Sequence, residues 1–167
     1  MTTSFNIRSA TTEDIELIRE LTFQVWPQTY ANILSPQQID YMLDMMYSQQ
    51  SLQQQMESGA QFIIVYEKEK PVGFASYQEM KPALYKLHKL YVLPSQQGKG
   101  TGRLLVEYIC TVITERKATA LQLQVNRNNN AKTFYEKLGF TVLEEIDLDI
   151  GGGFIMDDYV MEKKINC

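Results

Sequence analysis

A chain of 167 residues, 44% hydrophobic and 22% charged, has room for one domain with its own core. A net charge of −4 disfavours a nucleic-acid binder, and one histidine beside two cysteines, Cys110 and Cys167, makes neither a zinc site nor a disulfide framework. The longest apolar run, Phe62 to Tyr66, is too short to span a bilayer, and no basic-apolar leader opens the chain, so a cytoplasmic protein without membrane contact is expected.

In chain order, Phe5 to Arg8 reads as a short strand, and Thr11 with Asp14, or Thr12 alone, can cap the helix after it. Ile15, Ile18, Thr22, Val25 and Trp26 share one face at helical spacing, and Pro27 is expected to end that helix. Ser35-Pro36-Gln37-Gln38 starts another: serine caps, proline suits the first position, and Gln38 can complete a capping box. Its apolar stripe is Ile39, Met42, Leu43, Met46 and Tyr47. The glutamine-rich Gln49 to Gln55 still carries Leu52 and Met56 four apart and reads as continued or broken helix.

Phe62 to Glu67 and Val72 to Gln78 are strands around a polar turn, and Leu84 to Leu93 is the longest strand. Within it the apolar positions change face. Tyr85 and Leu87 are odd-numbered, whereas beyond Lys89 the even-numbered Leu90 and Val92 turn apolar. A β-bulge produces such a slip, and burial on both faces is the alternative. Leu105, Ile109, Val112 and Ile113 mark a helix reaching about Lys117, Leu121 to Val125 a strand, and Ala131 to Leu138 a helix stopped by Gly139. Phe140 to Ile150 and Phe154 to Lys163 are strands joined at Gly151-Gly152-Gly153. The order predicts an α/β (α+β) fold: a mixed, mostly antiparallel central sheet of about seven strands with helices on both faces.

Gln97-Gly98-Lys99-Gly100-Thr101-Gly102-Arg103 lies between the longest strand and the next helix. Its glycines permit backbone conformations and close approaches closed to other residues, where helix N–H groups lack internal partners. That combination suits a phosphate. It is not a P-loop, because Gly100 follows Lys99 where serine or threonine is required. Nor is it a dinucleotide fingerprint, because the third glycine would fall on Arg103 or Leu105. The spacing that fits is Gln-x-x-Gly-x-Gly, met by Gln97, Gly100 and Gly102.

In this strand–loop–helix setting the motif resembles the acetyl-CoA pyrophosphate loop of the GNAT N-acetyltransferases. A second segment, Asn128 to Phe140, is similar to that superfamily's Asn-x-x-Ala-x-x-x-Tyr-x-Lys-x-Gly-Phe signature at every signature position. The resemblance covers essentially the whole chain and implies one acetyltransferase domain over residues 1–167 with acetyl-CoA as donor and no metal. It implies pyrophosphate binding by backbone N–H groups of Gln97, Gly98, Lys99, Gly100, Thr101 and Gly102. Leu90, Tyr91 and Val92 would hold the acetyl carbonyl and pantetheine arm, on a strand splayed from Leu121 to Val125. Asn128 would bind the pantetheine, and Tyr135 would stand beside the thioester sulfur.

A fainter likeness, over Trp26 to Met46 and the closing hairpin, is to the diamine and polyamine N-acetyltransferase branch. It implies a small primary amine as acceptor, with a peptide or protein amino terminus next. The superfamily also admits a homodimer. A non-catalytic acyl-CoA-binding module is a reading from another class. Several residues carry two readings. Tyr135 shares its helix face with Phe134 and Leu138. His88 has a pKa suited to a general base but also fits a half-exposed strand, and Glu79 is a further carboxylate candidate. Trp26, Tyr30 and Tyr85 offer an amine pocket or core packing. Asp157 and Asp158 offer charge for a cationic amine or a solvated strand edge.

Overall fold

The computed structural model describes residues 4–96 and 98–165. Gln97, the glutamine of the glycine motif, and the terminal Cys167 lie outside the described residues.

β1 (Phe5–Ser9) leads to a single 3-10 turn, and of the two caps the sequence offers it is Thr11 that is used, in a reciprocal box with Asp14. α1 (Ile15–Tyr30) does not stop at Pro27 but runs three residues beyond it. Proline removes one intrahelical bond, to the carbonyl of Phe23. Both residues are exposed, so water can take that carbonyl, while Trp26 and Tyr30 bury on the opposite face and hold the last turn. Tertiary packing outweighs the local cost.

α2 (Pro36–Tyr47) begins as the sequence predicts, with Ser35 Oγ accepting from the Gln38 N–H at 3.1 Å. The Gln38 side chain does not close the box; it donates to the Ile155 carbonyl at 3.3 Å, tying the helix to the C-terminal hairpin. The glutamine-rich stretch is a separate helix, α3 (Gln49–Glu57). Ser48 breaks the chain direction and recaps it through a 3.1 Å bond from the Ser51 N–H.

The strands are β2 (Gln61–Glu67), β3 (Lys70–Lys81), β4 (Leu84–Val92), β5 (Ala120–Asn126), β6 (Thr141–Gly151) and β7 (Phe154–Lys164). α4 (Thr101–Glu115) connects β4 to β5, and α5 (Ala131–Lys137) comes after β5. With β1 the strands form one seven-stranded sheet in the order β1-β2-β3-β4-β5-β7-β6. Only β4 and β5 run parallel, as the helical crossover between them requires; every other pair is antiparallel.

Six consecutive residues of β3, Val72 to Tyr77, are buried, so both faces of the sheet centre are covered. α1 and α4 both pack against β3 and β4, and they take opposite faces. Trp26 and Ile18 anchor the first; Leu105, Ile109 and Ile113, all fully buried, anchor the second. Among the described residues no helix is long and apolar enough to cross a membrane.

Two irregularities interrupt the centre of the sheet. Ser76 pairs with Lys89 and Tyr77 with Leu87, which leaves His88 as the extra residue of a bulge. Of the two explanations for the phase slip, the bulge is the one that occurs. The second irregularity is a splay: pairing of β4 with β5 ends at Leu87–Leu123, although both strands continue.

Candidate active site

The bulge and the splay together expose the edge of β4. The Leu93 N–H bonds to the Val72 carbonyl at 2.8 Å, so by antiparallel alternation Tyr91 and Lys89 also point their backbone groups toward β3. Leu90 and Val92 then direct theirs into the gap beside β5. On this stretch a bound ligand can find backbone donors and acceptors without breaking the sheet.

The gap opens into a cavity of ≈ 590 Å³. Trp26 and Tyr30 from α1, Tyr47 from α2 and Tyr91 from β4 form an aromatic wall. Trp26 lies 4.6 Å from Tyr30, 5.6 Å from Tyr47 and 6.0 Å from Tyr91 between ring centroids, and the Tyr30 and Tyr91 hydroxyls stand 3.1 Å apart. Trp26 and Tyr30 therefore do both things the sequence allowed: they pack in the core and they face the cavity. The closing hairpin covers one side, docked by a 2.9 Å bond from Tyr41 Oη to the Ile150 carbonyl.

Tyr135 on α5 lines the cavity, 8% exposed and packed edge-on against Phe134 and Phe140. Burial, with Tyr30 adding to it, pushes its phenol well above the ordinary value, so it stays protonated at neutral pH.

Beside Tyr91, three nitrogen-bearing titratable side chains on β4 line the same cavity: Lys86, His88 and Lys89. His88 sits at the bulge with Nε2 3.0 Å from Gln78 Oε1. Burial, then the two flanking lysines, push its ring down to about 4. A ring so reluctant to charge is a poor acceptor for an ammonium proton. His88→Gln is therefore expected to lower kcat/KM by less than ~10-fold; a loss on the order of 100-fold in steady-state assays would restore it as the base. Lys89 is buried with Nζ 4.7 Å from the Tyr47 ring centroid, and burial followed by Lys86 brings its pKa down to about 8.

Two of the expected residues lie outside the cavity lining. Tyr85 precedes the bulge, on the face opposite Tyr91, and does not line the cavity although it is buried. Asn128 is an exposed turn residue whose N–H donates to Asn126 Oδ1 at 2.9 Å. The asparagines that line the cavity are Asn126 and Asn129. Motif spacing located this turn; the direction of each side chain depends on its hydrogen bonds.

In the glycine loop the three glycines do different jobs. Gly98 (φ +80°) and Gly100 (φ +78°) hold left-handed backbone, and a Cβ on either would meet open space. A Cβ on Gly102 would stand 3.2 Å from Phe134, so this glycine lets α4 approach α5. The buried Thr101 uses its hydroxyl to donate to Gln96 Oε1 at 2.8 Å, leaving only its backbone for a ligand. Gln96 in turn donates to Glu67 at 3.3 Å, and Lys99 Nζ pairs with the same carboxylate at 3.3 Å. Gln96, which sequence reasoning passed over, fixes the loop to β2. The loop is not part of the cavity wall; Gly102, Phe134 and Tyr135 connect it to the wall. Open space above left-handed glycines at a helix N-terminus fits a bulky diphosphate. Among the described residues no cluster of three or more metal-ligating side chains occurs.

A family model for the acetyltransferase (GNAT) domain matches residues 30–154. The chain is 28% identical to spermidine N(1)-acetyltransferase of Thermoplasma acidophilum, over 96% of this chain and 98% of that protein. It is 34% identical to the [ribosomal protein bS18]-alanine N-acetyltransferase of Haemophilus influenzae over a shorter span, 46% of this chain and 50% of that one. Its fold is similar to that of the PaiA N-acetyltransferase from Thermoplasma acidophilum in complex with coenzyme A. That comparison has a TM-score of 0.81 at 27% identity, over 96% of this chain and 99% of the other.

Proposed function

The chain belongs to the GNAT acetyltransferase family, and from that membership we propose that it transfers an acetyl group from acetyl-CoA to the nitrogen of a small primary amine. The observation that carries this reading is the gap beyond Leu87 and Leu123, which opens onto Tyr135 and an aromatic-walled cavity. Residues 1–167 act as one acetyltransferase domain in the cytoplasm. Bound acetyl-CoA supplies an activated acyl group and a thiolate leaving group.

The chain's part is positioning and proton handling. Backbone N–H groups of Gly98 to Gly102 hold the diphosphate. The N–H groups of Leu90 and Val92 face the gap and stabilise negative charge on a carbonyl oxygen; one such fixed donor is typically worth roughly 3 kcal/mol of barrier. Tyr135, held protonated by burial, donates to the departing sulfur. Neither cysteine is required, and burial pushes the Cys110 thiol up and away from nucleophilic form.

The near full-length similarity to a spermidine acetyltransferase supports a small amine or polyamine over a peptide amino terminus, whose supporting relative aligns over half its length. Lys86 and Lys89 line the cavity, so a polyamine enters with one ammonium, and its further charges project outward. The test is release of CoA thiol from acetyl-CoA with a panel of acceptors: spermidine, putrescine, benzylamine and an alanine-terminated peptide. Turnover with the first three is expected; turnover with the peptide alone selects the amino-terminal reading, and acetyl-CoA binding without any turnover selects a non-catalytic module.

A further inference from the structure

Resting on the acetyltransferase reading, we propose that Asp158 on β7 receives the acceptor's ammonium and takes its proton before attack. Asp158 is 1% exposed and lines the cavity, and its Oδ1 has no hydrogen-bond partner among the described residues. A buried carboxylate ordinarily meets a cation or several donors, so this one is incomplete without a ligand.

The charged neighbours do not complete it. Arg127, after β5, is held by Asp147 at 2.9 Å, by Asp157 and by Glu145 at 3.9 Å. Lys86 on β4 attracts it through space, but no ion pair to Asp158 occurs among the described residues. Asp157 beside it repels, and Tyr30 of α1 adds a neutral phenol. The same cavity carries the aromatic wall of Trp26, Tyr30 and Tyr91, and aromatic ring faces suit an ammonium.

The geometry also solves the proton problem that His88 leaves. Burial, then Asp157, push the Asp158 carboxyl up to about 6, against the pull of Arg127 and Lys86. Near neutrality it is ionised and still basic enough to accept. The nitrogen gives its first proton to Asp158, forms the N–C bond as the C–S bond breaks, and then loses a second proton. One proton replaces the hydrogen that Tyr135 gives the thiolate, and the other leaves to solvent.

Asp158→Asn keeps the side chain's size and removes the charge. With spermidine and benzylamine as probes, calorimetry is expected to find binding at least ~10-fold weaker than wild type, and kcat/KM to fall on the order of 100-fold, with acetyl-CoA affinity unchanged. Wild-type kcat/KM should decline on the acid side with a midpoint near 6. In the variant that limb should vanish, with the rate rising toward the amine's own pKa. Undiminished amine binding and turnover, an inflection near pH 6 that persists in the variant, or a wild type that binds neither probe would overturn the proposal. If Asp158→Asn no longer retains acetyl-CoA, Asp158→Glu is expected to keep the acid limb, and a wild-type profile flat from about pH 5 to 7 overturns the assignment. Wild-type protein that binds these amines but acetylates none refutes the acetyltransferase reading alone, and the comparison of amine binding still decides Asp158.

Discussion

Tyr135→Phe is expected to lower kcat by about 10²- to 10⁴-fold while acetyl-CoA affinity changes by less than about threefold. The ring is not the issue. It packs at 5.1 Å from Phe134 and 5.5 Å from Phe140 between centroids, and phenylalanine retains both contacts. No hydrogen bond from the Tyr135 hydroxyl occurs among the described residues, so its removal orphans no partner. What disappears is one O–H of a residue that lines the cavity, the donor proposed for the developing thiolate. A loss of that size corresponds to about 3 to 5 kcal/mol of barrier. Because burial holds the phenol protonated, the basic limb of the wild-type profile should not report this residue. Stopped-flow turnover beside equilibrium binding of CoA separates the terms, and wild-type kcat in the variant would remove the acid role.

Gly100→Ala is expected to weaken acetyl-CoA binding by about 10- to 100-fold at a stability cost of only about 1 kcal/mol. The left-handed φ of +78° sets the stability cost. The affinity loss has a separate origin. A Cβ there meets no protein atom within 4 Å, so steric exclusion can arise only from something occupying the space above the loop. Thermal unfolding and a CoA titration on the same sample give both numbers. Equal affinity in the two proteins would mean that the diphosphate does not rest on this glycine.

Much of this arrangement was legible in the sequence, and for physical reasons. Glycine spacing is a direct record of backbone demand, and two of the three loop glycines do occupy left-handed backbone. A strand's two-residue period makes a single inserted residue visible, and the change of phase around His88 marked the bulge that the pairing contains. The rest depends on neighbours distant in sequence. Pro27 reads as a stop because local rules do not include the packing of Trp26 and Tyr30 that carries α1 past it. Tyr85 and Tyr91 look equivalent until the bulge sends them to opposite faces. Gln96 looks like any loop glutamine until Thr101 and Glu67 are seen at either end of its amide. Asp158 sits in a stretch that reads as a solvated strand edge, yet it is buried and lines the cavity.

The last long strand of the chain, β7, is not at the border of the sheet but between β5 and β6. During synthesis β5 must therefore wait, one flank unpaired, until residues through Lys164 have emerged, because their pairing runs from Ala120–Lys164 to Asn126–Asp158. A truncated product ending after the β6 segment would carry the whole glycine loop and Tyr135 yet leave β5 as an open template for foreign strands. Clipping near the C-terminus should thus yield aggregates rather than a weakened enzyme.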